Sequence, residues 1–118
     1  MVEPTSREET IAHLNDRVRL GQDPTARMLI TRACLATFAS EDTGDGLRAQ
    51  VGLVRAVRAF QFSGAEAAER NRGSFRFQGS EVFFAIDYYD RELTYGSEDP
   101  ADPDVTTRVL TIMVREDL

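Results

Sequence analysis

The sequence predicts an α+β fold, two helices packed on a mostly antiparallel four-stranded sheet in the order α-β-α-β-β-β. Three observations carry that prediction. Two stretches repeat apolar residues at helical spacing, one through Ile11, Leu14 and Val18 and one through Leu47, Val51, Val54 and Val57. Between Phe75 and Tyr89, aromatic and β-branched residues flank the turn residues Gln78-Gly79-Ser80, the pattern of a hairpin. Beyond Pro100 and Pro103, Val105 to Arg115 returns as a second apolar, strand-like run.

Taken in order, Ser6 followed three residues later by Glu9 is a capping-box pattern, which starts helix 1 by satisfying free backbone amides. Gly21 and Asp23-Pro24 stop it after three to four turns. Arg27 to Phe38, rich in Met, Leu, Ile, Thr and Cys, is predicted as the first strand, and SEDTGDG (40–46) as the loop after it. Helix 2 is expected from about Gly46 to Phe60, with Leu47, Val51, Val54 and Val57 inward and Arg48, Arg55 and Arg58 in water. Residues 61–73 lack periodicity and are expected to connect with one helical turn. The hairpin then leads into a long loop, Asp90 to Asp104, where proline rings and missing amides disfavour regular structure. The final strand is expected at a sheet edge, where pairing with its copy would make a homodimer.

At 118 residues, with 42% hydrophobic and 29% charged residues, the chain has the size and composition of a single folded domain, 1–118. Its N-terminal residues are polar and acidic, unlike a signal peptide, and no apolar run is long enough to span a bilayer, so a cytoplasmic protein without membrane contact is expected. The one cysteine, Cys34, sits in an apolar run and is expected to be packed rather than reactive. All fourteen basic residues are arginine. Residues 1–80 carry eleven Arg against ten acids, whereas residues 81–118 carry three against ten. The net charge of −6 is therefore concentrated in the last third. Direct nucleic-acid binding is not expected of such a domain, because phosphate contacts need positive surface.

The segments IDYYD (86–90), YGSEDPADP (95–103) and TTRVLTIM (106–113) resemble the signature of an uncharacterised alphaproteobacterial family, domain of unknown function 3768. The resemblance covers about residues 70–118 well and the first half loosely. Where the family pattern has Trp and a basic residue, this chain has Phe84 and Ala85. The resemblance implies a bacterial, intracellular accessory role of the kind encoded on plasmids and other mobile elements, and it brings no established activity.

The chemistry-bearing candidates cluster in the same third. Glu98, Asp99, Asp102 and Asp104 place four carboxylates within seven residues, a set that suits Ca²⁺ or Mg²⁺ if the loop wraps one ion. The spacing is not that of an EF-hand and two prolines limit the wrapping, so no metal is assigned. The same aspartates read as turn and capping residues. EDTGDG (41–46) is a weaker version and reads as a helix approach. Asp87 and Asp90 flank Tyr88 and Tyr89 at a strand end, a place for acid and base; the structural reading instead pairs Asp87 with an arginine such as Arg108. His13 lies off the apolar stripe, and no cofactor motif occurs. The reading that follows is a small non-enzymatic module binding a protein partner with a basic surface through Asp87, Tyr89, Asp90, Tyr95, Glu98, Asp99, Asp102 and Asp104. The alternative is a metal-dependent or acid/base hydrolase using Asp87, Asp90 and the acidic loop.

Overall fold

The computed structural model describes residues 6–38 and 43–118. Within them the order is α1 (Arg7–Arg19), β1 (Arg27–Ile30), α2 (Arg32–Phe38), α3 (Thr43–Ala59), β2 (Arg72–Phe77), β3 (Ser80–Tyr89) and β4 (Thr107–Val114). Short 3₁₀ turns occupy Gly64–Ala67 and Arg115–Asp117. The class is α+β, with three helices rather than two and a mixed, mostly antiparallel sheet in the strand order β1-β4-β3-β2. No described helix is long and apolar enough to cross a membrane.

α1 begins as expected: the Ser6 hydroxyl oxygen accepts from the Glu9 amide at 3.1 Å. It closes in a Schellman motif, the Gly21 and Gln22 amides donating to the Val18 and Arg17 carbonyls. The expected strand over 27–38 is corrected. Only four residues pair, Arg27–Ile30 running parallel to Val109–Ile112 of β4. At Thr31 the chain turns into α2, because the Thr31 hydroxyl accepts from the Cys34 amide at 3.1 Å and so caps a helix. The same hydroxyl donates to Asp117 at 2.7 Å, tying the strand-to-helix junction to the C-terminal turn. Cys34 is fully buried, as expected, and burial pushes its thiol pKa up.

α3 starts at Thr43, so Thr43 to Gly46 of the expected SEDTGDG loop are its first turn, while residues 40–42 lie outside the described ones. Its buried stripe is Ala49, Leu53 and Val57; Leu47 and Val51 are exposed. Of the expected inward residues Val57 is buried and Val54 half-buried, and Arg48, Arg55 and Arg58 are exposed as expected; the correction is at Leu47 and Val51, whose places in the core are taken by Ala49 and Leu53. The small side of the helix faces the sheet, allowing close approach to Phe77, and the larger residues are left outward.

β2 and β3 form the expected hairpin, Phe77 pairing with Ser80 across the two-residue turn Gln78-Gly79. Both turn residues have positive φ, 49° and 83°, which matches the twist of the flanking strands and favours glycine at the second position. β4 lies between β1 and β3, so the final strand is not an edge and the expected edge-pairing route to a dimer is lost.

Alternation divides the sheet into two faces. Val82, Phe84 and Ile86 of β3, with Leu110, Ile112 and Val114 of β4, join Val18, Cys34, Leu53 and Val57 in one core, so all three helices pack on that face. Phe60, Phe62, Phe75 and Phe84 meet there edge-on or tilted. Gly73 of β2 is where this aromatic cluster touches backbone: a Cβ there would stand 2.6 Å from the Phe60 ring and 2.9 Å from Phe84. Gly73→Ala is therefore expected to cost about 1–3 kcal/mol through overpacking, since a ring cannot swing aside as a flexible chain can. Gly46→Ala meets nothing within 4 Å and is expected to stabilise by up to about 1 kcal/mol. Urea unfolding of both variants checks the pair, and opposite signs are the expected result.

Candidate functional site

The loop between β3 and β4 is ordered by its own side chains. At its start the Asp90 amide donates to the Tyr95 carbonyl at 2.8 Å and the Ser97 amide to the Tyr88 carbonyl at 3.0 Å, a bridge in which Tyr89 pairs with Gly96. Asp90 caps this tip, its carboxylate accepting from the Thr94 amide at 2.9 Å and the Tyr95 amide at 3.3 Å. Leu93 takes the left-handed conformation, φ 61°, that so tight a tip requires.

The second half is a pair of aspartate turns. Asp99 accepts from the Ala101 amide at 3.1 Å and Asp102 from the Asp104 amide at 2.9 Å, each spanning the proline that follows it. The Thr106 hydroxyl donates to the Asp99 carbonyl at 2.8 Å. A carbonyl only accepts, so the one Thr106 proton is used there, and Ser97 is the donor in the 2.6 Å contact between the two hydroxyls. Ser97 in turn accepts from the Asp99 amide at 3.1 Å. Asp99 also meets the Arg7 guanidinium of α1 at 3.0 Å, which offsets its charge from outside the loop.

Beneath the loop lies an anchor that the sequence reading assigned differently. Arg108 is 2% exposed, its guanidinium 4.9 Å from the centre of the Tyr88 ring. Its Nε donates to Asn15 Oδ1 at 2.8 Å and its Nη2 to the Pro100 carbonyl. Asn15, fully buried on α1, donates to the Glu69 carbonyl at 3.0 Å and to the Tyr88 hydroxyl at 2.9 Å. The Tyr88 hydroxyl donates to Glu69 Oε2 at 3.0 Å. The expected pairing of Asp87 with Arg108 is corrected. Asp87 stands opposite Val109 on the outer face and is exposed, whereas Arg108 stands opposite Tyr88 on the core face. Burial, opposed in part by the Asn15 bond and reinforced by Glu69, pushes the Tyr88 hydroxyl pKa up to about 12, and burial lowers that of Arg108.

A second ionic group extends the anchor to α3. Asp16 receives Arg70 through both Nε and Nη2, the latter at 2.7 Å, and Arg19 at 2.7 Å. Arg19 also donates to the Val57 carbonyl at 3.1 Å, near the end of α3, where carbonyls lack helical partners. Parity held the signal for these residues. Asn15 shares the inward side of α1 with Leu14 and Val18, and Arg108 has the same alternation as Leu110, Ile112 and Val114.

Of the expected site residues, Asp90, Tyr95, Glu98 and Asp104 line one groove of about 500 Å³ together with Arg91, Glu92, Gly96 and Val105. Tyr95 is 74% exposed, and Glu98 and Asp104 are exposed beside it. Asp99 and Asp102 are turn residues with their carboxylates on backbone amides. Tyr89 is half-buried in the bridge, and Asp87 lies away on the outer sheet face. Among the described residues, no group of three or more His, Cys, Asp or Glu is placed to hold a metal ion.

Asp16 gives a test of the anchor. Burial alone would raise its pKa, but the hydrogen bonds and charges of Arg70 and Arg19 outweigh this and hold the carboxyl below its usual range. A carboxyl depressed in the folded state contributes stability that is full above its ordinary pKa and is lost as pH falls through its folded value. Asp16→Asn is expected to lose roughly 2–3 kcal/mol at pH 7, because Arg19 is left buried without its carboxylate. Its deficit relative to wild type is expected to shrink below pH 4, measured by urea unfolding across pH.

No curated protein and no solved structure matches significantly. A family model described as protein of unknown function, DUF3768, matches residues 31–117, from the Thr31 cap through the loop, β4 and the Arg115–Asp117 turn. That span holds Glu69, Arg70, Tyr88 and Arg108, while their α1 partners Asn15 and Asp16 precede it. With the larger part of its length covered, the chain belongs to the DUF3768 family of proteins of unknown function.

Proposed function

We propose that this protein is a small non-enzymatic binding module whose 90–104 loop docks a protein partner with a basic surface. The observation that carries the reading is Tyr95, an aromatic side chain 74% exposed in a groove also lined by Asp90, Glu92, Glu98 and Asp104. Aromatic side chains left in water beside a concavity are the common anchors of protein interfaces, because they bring large area at little conformational cost. Loop residues 90–104 carry six acids and one arginine, and a field of one sign over so short a segment accelerates encounter with a positive patch.

The loop also meets a second requirement of a docking surface, that it need not be ordered on binding. Its aspartate turns and its attachment to Arg108 through Pro100 set the backbone in advance. Asp99 and Asp102 serve that scaffold, so the charge offered to a partner is chiefly that of Glu92, Glu98 and Asp104. We place this role in the bacterial cytoplasm, as an accessory function of a mobile element, on the family resemblance alone.

The test immobilises the protein and passes a bacterial lysate over it at low and moderate salt, with Tyr95→Ala and the double variant Glu98→Lys/Asp104→Lys in parallel. A partner retained by wild type is expected to be lost from both variants and to weaken with salt. Tyr95→Ala is expected to reduce its affinity roughly thirtyfold, the loss typical of an aromatic anchor of about 2 kcal/mol. Retention indifferent to all three substitutions, or no specific retention, would overturn the proposal.

A further inference from the structure

The helix layer stops short of the β1 edge of the sheet. Met28 and Ile30 pair with Leu110 and Ile112, so their side chains lie on the helix side. Yet Met28 is 38% exposed and Ile30 only half-buried. Beside them the outward stripe of α3 is apolar too: Leu47 is 66% and Val51 45% exposed, and Val54 is half-buried. Two adjoining clefts cover this ground. One, of about 300 Å³, runs between Met28, Ile30 and Leu35 on one side and Gln50 and Val54 on the other. The second, of about 330 Å³, shares Gln50 and Val54 and continues over Leu47, Val51, Arg55 and Arg58.

Leu47, Val51, Val54 and Arg58 recur at helical spacing and form one ridge along α3. From position 47 to 58 the ridge is about 16 Å long, or three turns. A ridge of this kind beside a cleft is complementary to a second helix laid along it, with apolar residues at the same spacing.

Charge sets the sign of that helix. Residues 27–38 and 46–60 hold five arginines and no aspartate or glutamate, in a chain whose net charge is −6. Arg55 and Arg58 line the second cleft, and among the described residues no carboxylate lines either cleft. Nor does Arg55 or Arg58 enter an ion pair among the described residues. Asp45, the acid of α3, precedes Arg55 by ten residues, about 15 Å along the helix. Guanidinium groups covered by a partner destabilise the complex unless carboxylates meet them, so the partner must carry acids at the flank of its apolar stripe. A phosphate backbone would meet the arginines but bring no apolar surface to the ridge, and a bilayer surface would not enter the cleft beside β1.

We infer that this groove docks an acidic amphipathic helix of a partner protein, its apolar stripe on Leu47, Val51 and Val54 and its carboxylates on Arg55 and Arg58. The site is opposite in sign to the 90–104 loop and does not rest on the reading given to that loop.

The probe is a synthetic peptide of about fifteen residues, long enough to form helix in part, with leucine at i, i+4, i+7 and i+11 and glutamate on both flanks. A twin carries lysine for each glutamate. Backbone amide shifts of ¹⁵N-labelled protein at roughly 100 μM report micromolar complexes. The acidic peptide is expected to shift amides of residues 47–58 and 28–35 saturably, and less at high salt, while the lysine twin leaves them in place. Val51→Asp and Arg55→Glu, both at exposed positions, are each expected to weaken the acidic peptide roughly tenfold, with circular dichroism confirming the fold. Tyr95→Ala is expected to leave its affinity unchanged, which separates this surface from the loop. Absence of shifts in α3, equal binding of the lysine twin, indifference to both groove variants, or shifts confined to residues 90–104 would defeat the inference. So would α3 shifts produced by phosphatidylserine vesicles or duplex DNA and not by the acidic peptide.

Discussion

The buried guanidinium of Arg108 is the constraint on which the C-terminal third depends. A cation removed from water must find partners for its five donors or destabilise the fold by several kcal/mol. Arg108 finds two acceptors and an aromatic face in three different parts of the chain: Asn15 of α1, the Pro100 carbonyl in the loop and the ring of Tyr88 on β3. None of these is a carboxylate. The compensation comes from oriented dipoles and an aromatic face, with the charges of Asp23 and Glu69 acting from farther off. One side chain thus ties the first helix, the sheet and the acidic loop together, so the loop cannot change shape without leaving a buried donor unpaired.

The elements visible in the sequence were those specified by their own neighbours. Ser6 and Glu9 start α1 within one turn, and Gln78-Gly79 closes the hairpin by backbone conformation alone. The proline-bounded aspartates build the loop from contacts two residues long. What escaped was set at a distance. Thr31 ends β1 and begins α2, and its hydroxyl is held by Asp117, 86 residues away. The local run Arg27–Phe38 has enough β-branched and apolar residues to continue as a strand, and a tertiary contact decides against it. α3 carries two apolar stripes of the same period. Close packing selected the smaller one, Ala49-Leu53-Val57, because Phe77 leaves room for Gly52 and not for a larger side chain.

The candidate site was legible in composition and not in geometry. Carboxylates within a few residues of one another suggested a common ligand, but a carboxylate two residues ahead of a free amide is satisfied first by that amide. Asp99 and Asp102 are used in this way, and Asp90 is taken by the amides of Thr94 and Tyr95, four and five residues on. Such local bonds turn the loop into a rigid scaffold and leave Tyr95, Glu98 and Asp104 facing water. The ionic cluster around Asp16 was invisible for the opposite reason. Asp16 and Arg70 are 54 residues apart, and no pattern in either segment names the other.

The alternation of β4 joins the two faces of the sheet. Its even positions, Arg108, Leu110, Ile112 and Val114, face the helices and hold the loop anchor; its odd positions, Val109, Thr111 and Met113, point to the opposite face of the sheet. A slip of one residue in the pairing with β3 would exchange the two sets, bringing Arg108 to the outside and Thr111 into the core. Two neighbours oppose that slip. β3 pairs with β4 over eight positions and β1 over four, with Thr31 adding a bond to the Ile112 carbonyl. Register is therefore the means by which a single strand fixes both the conformation of the acidic loop and the composition of the opposite face. Any substitution that weakens it acts on both surfaces together.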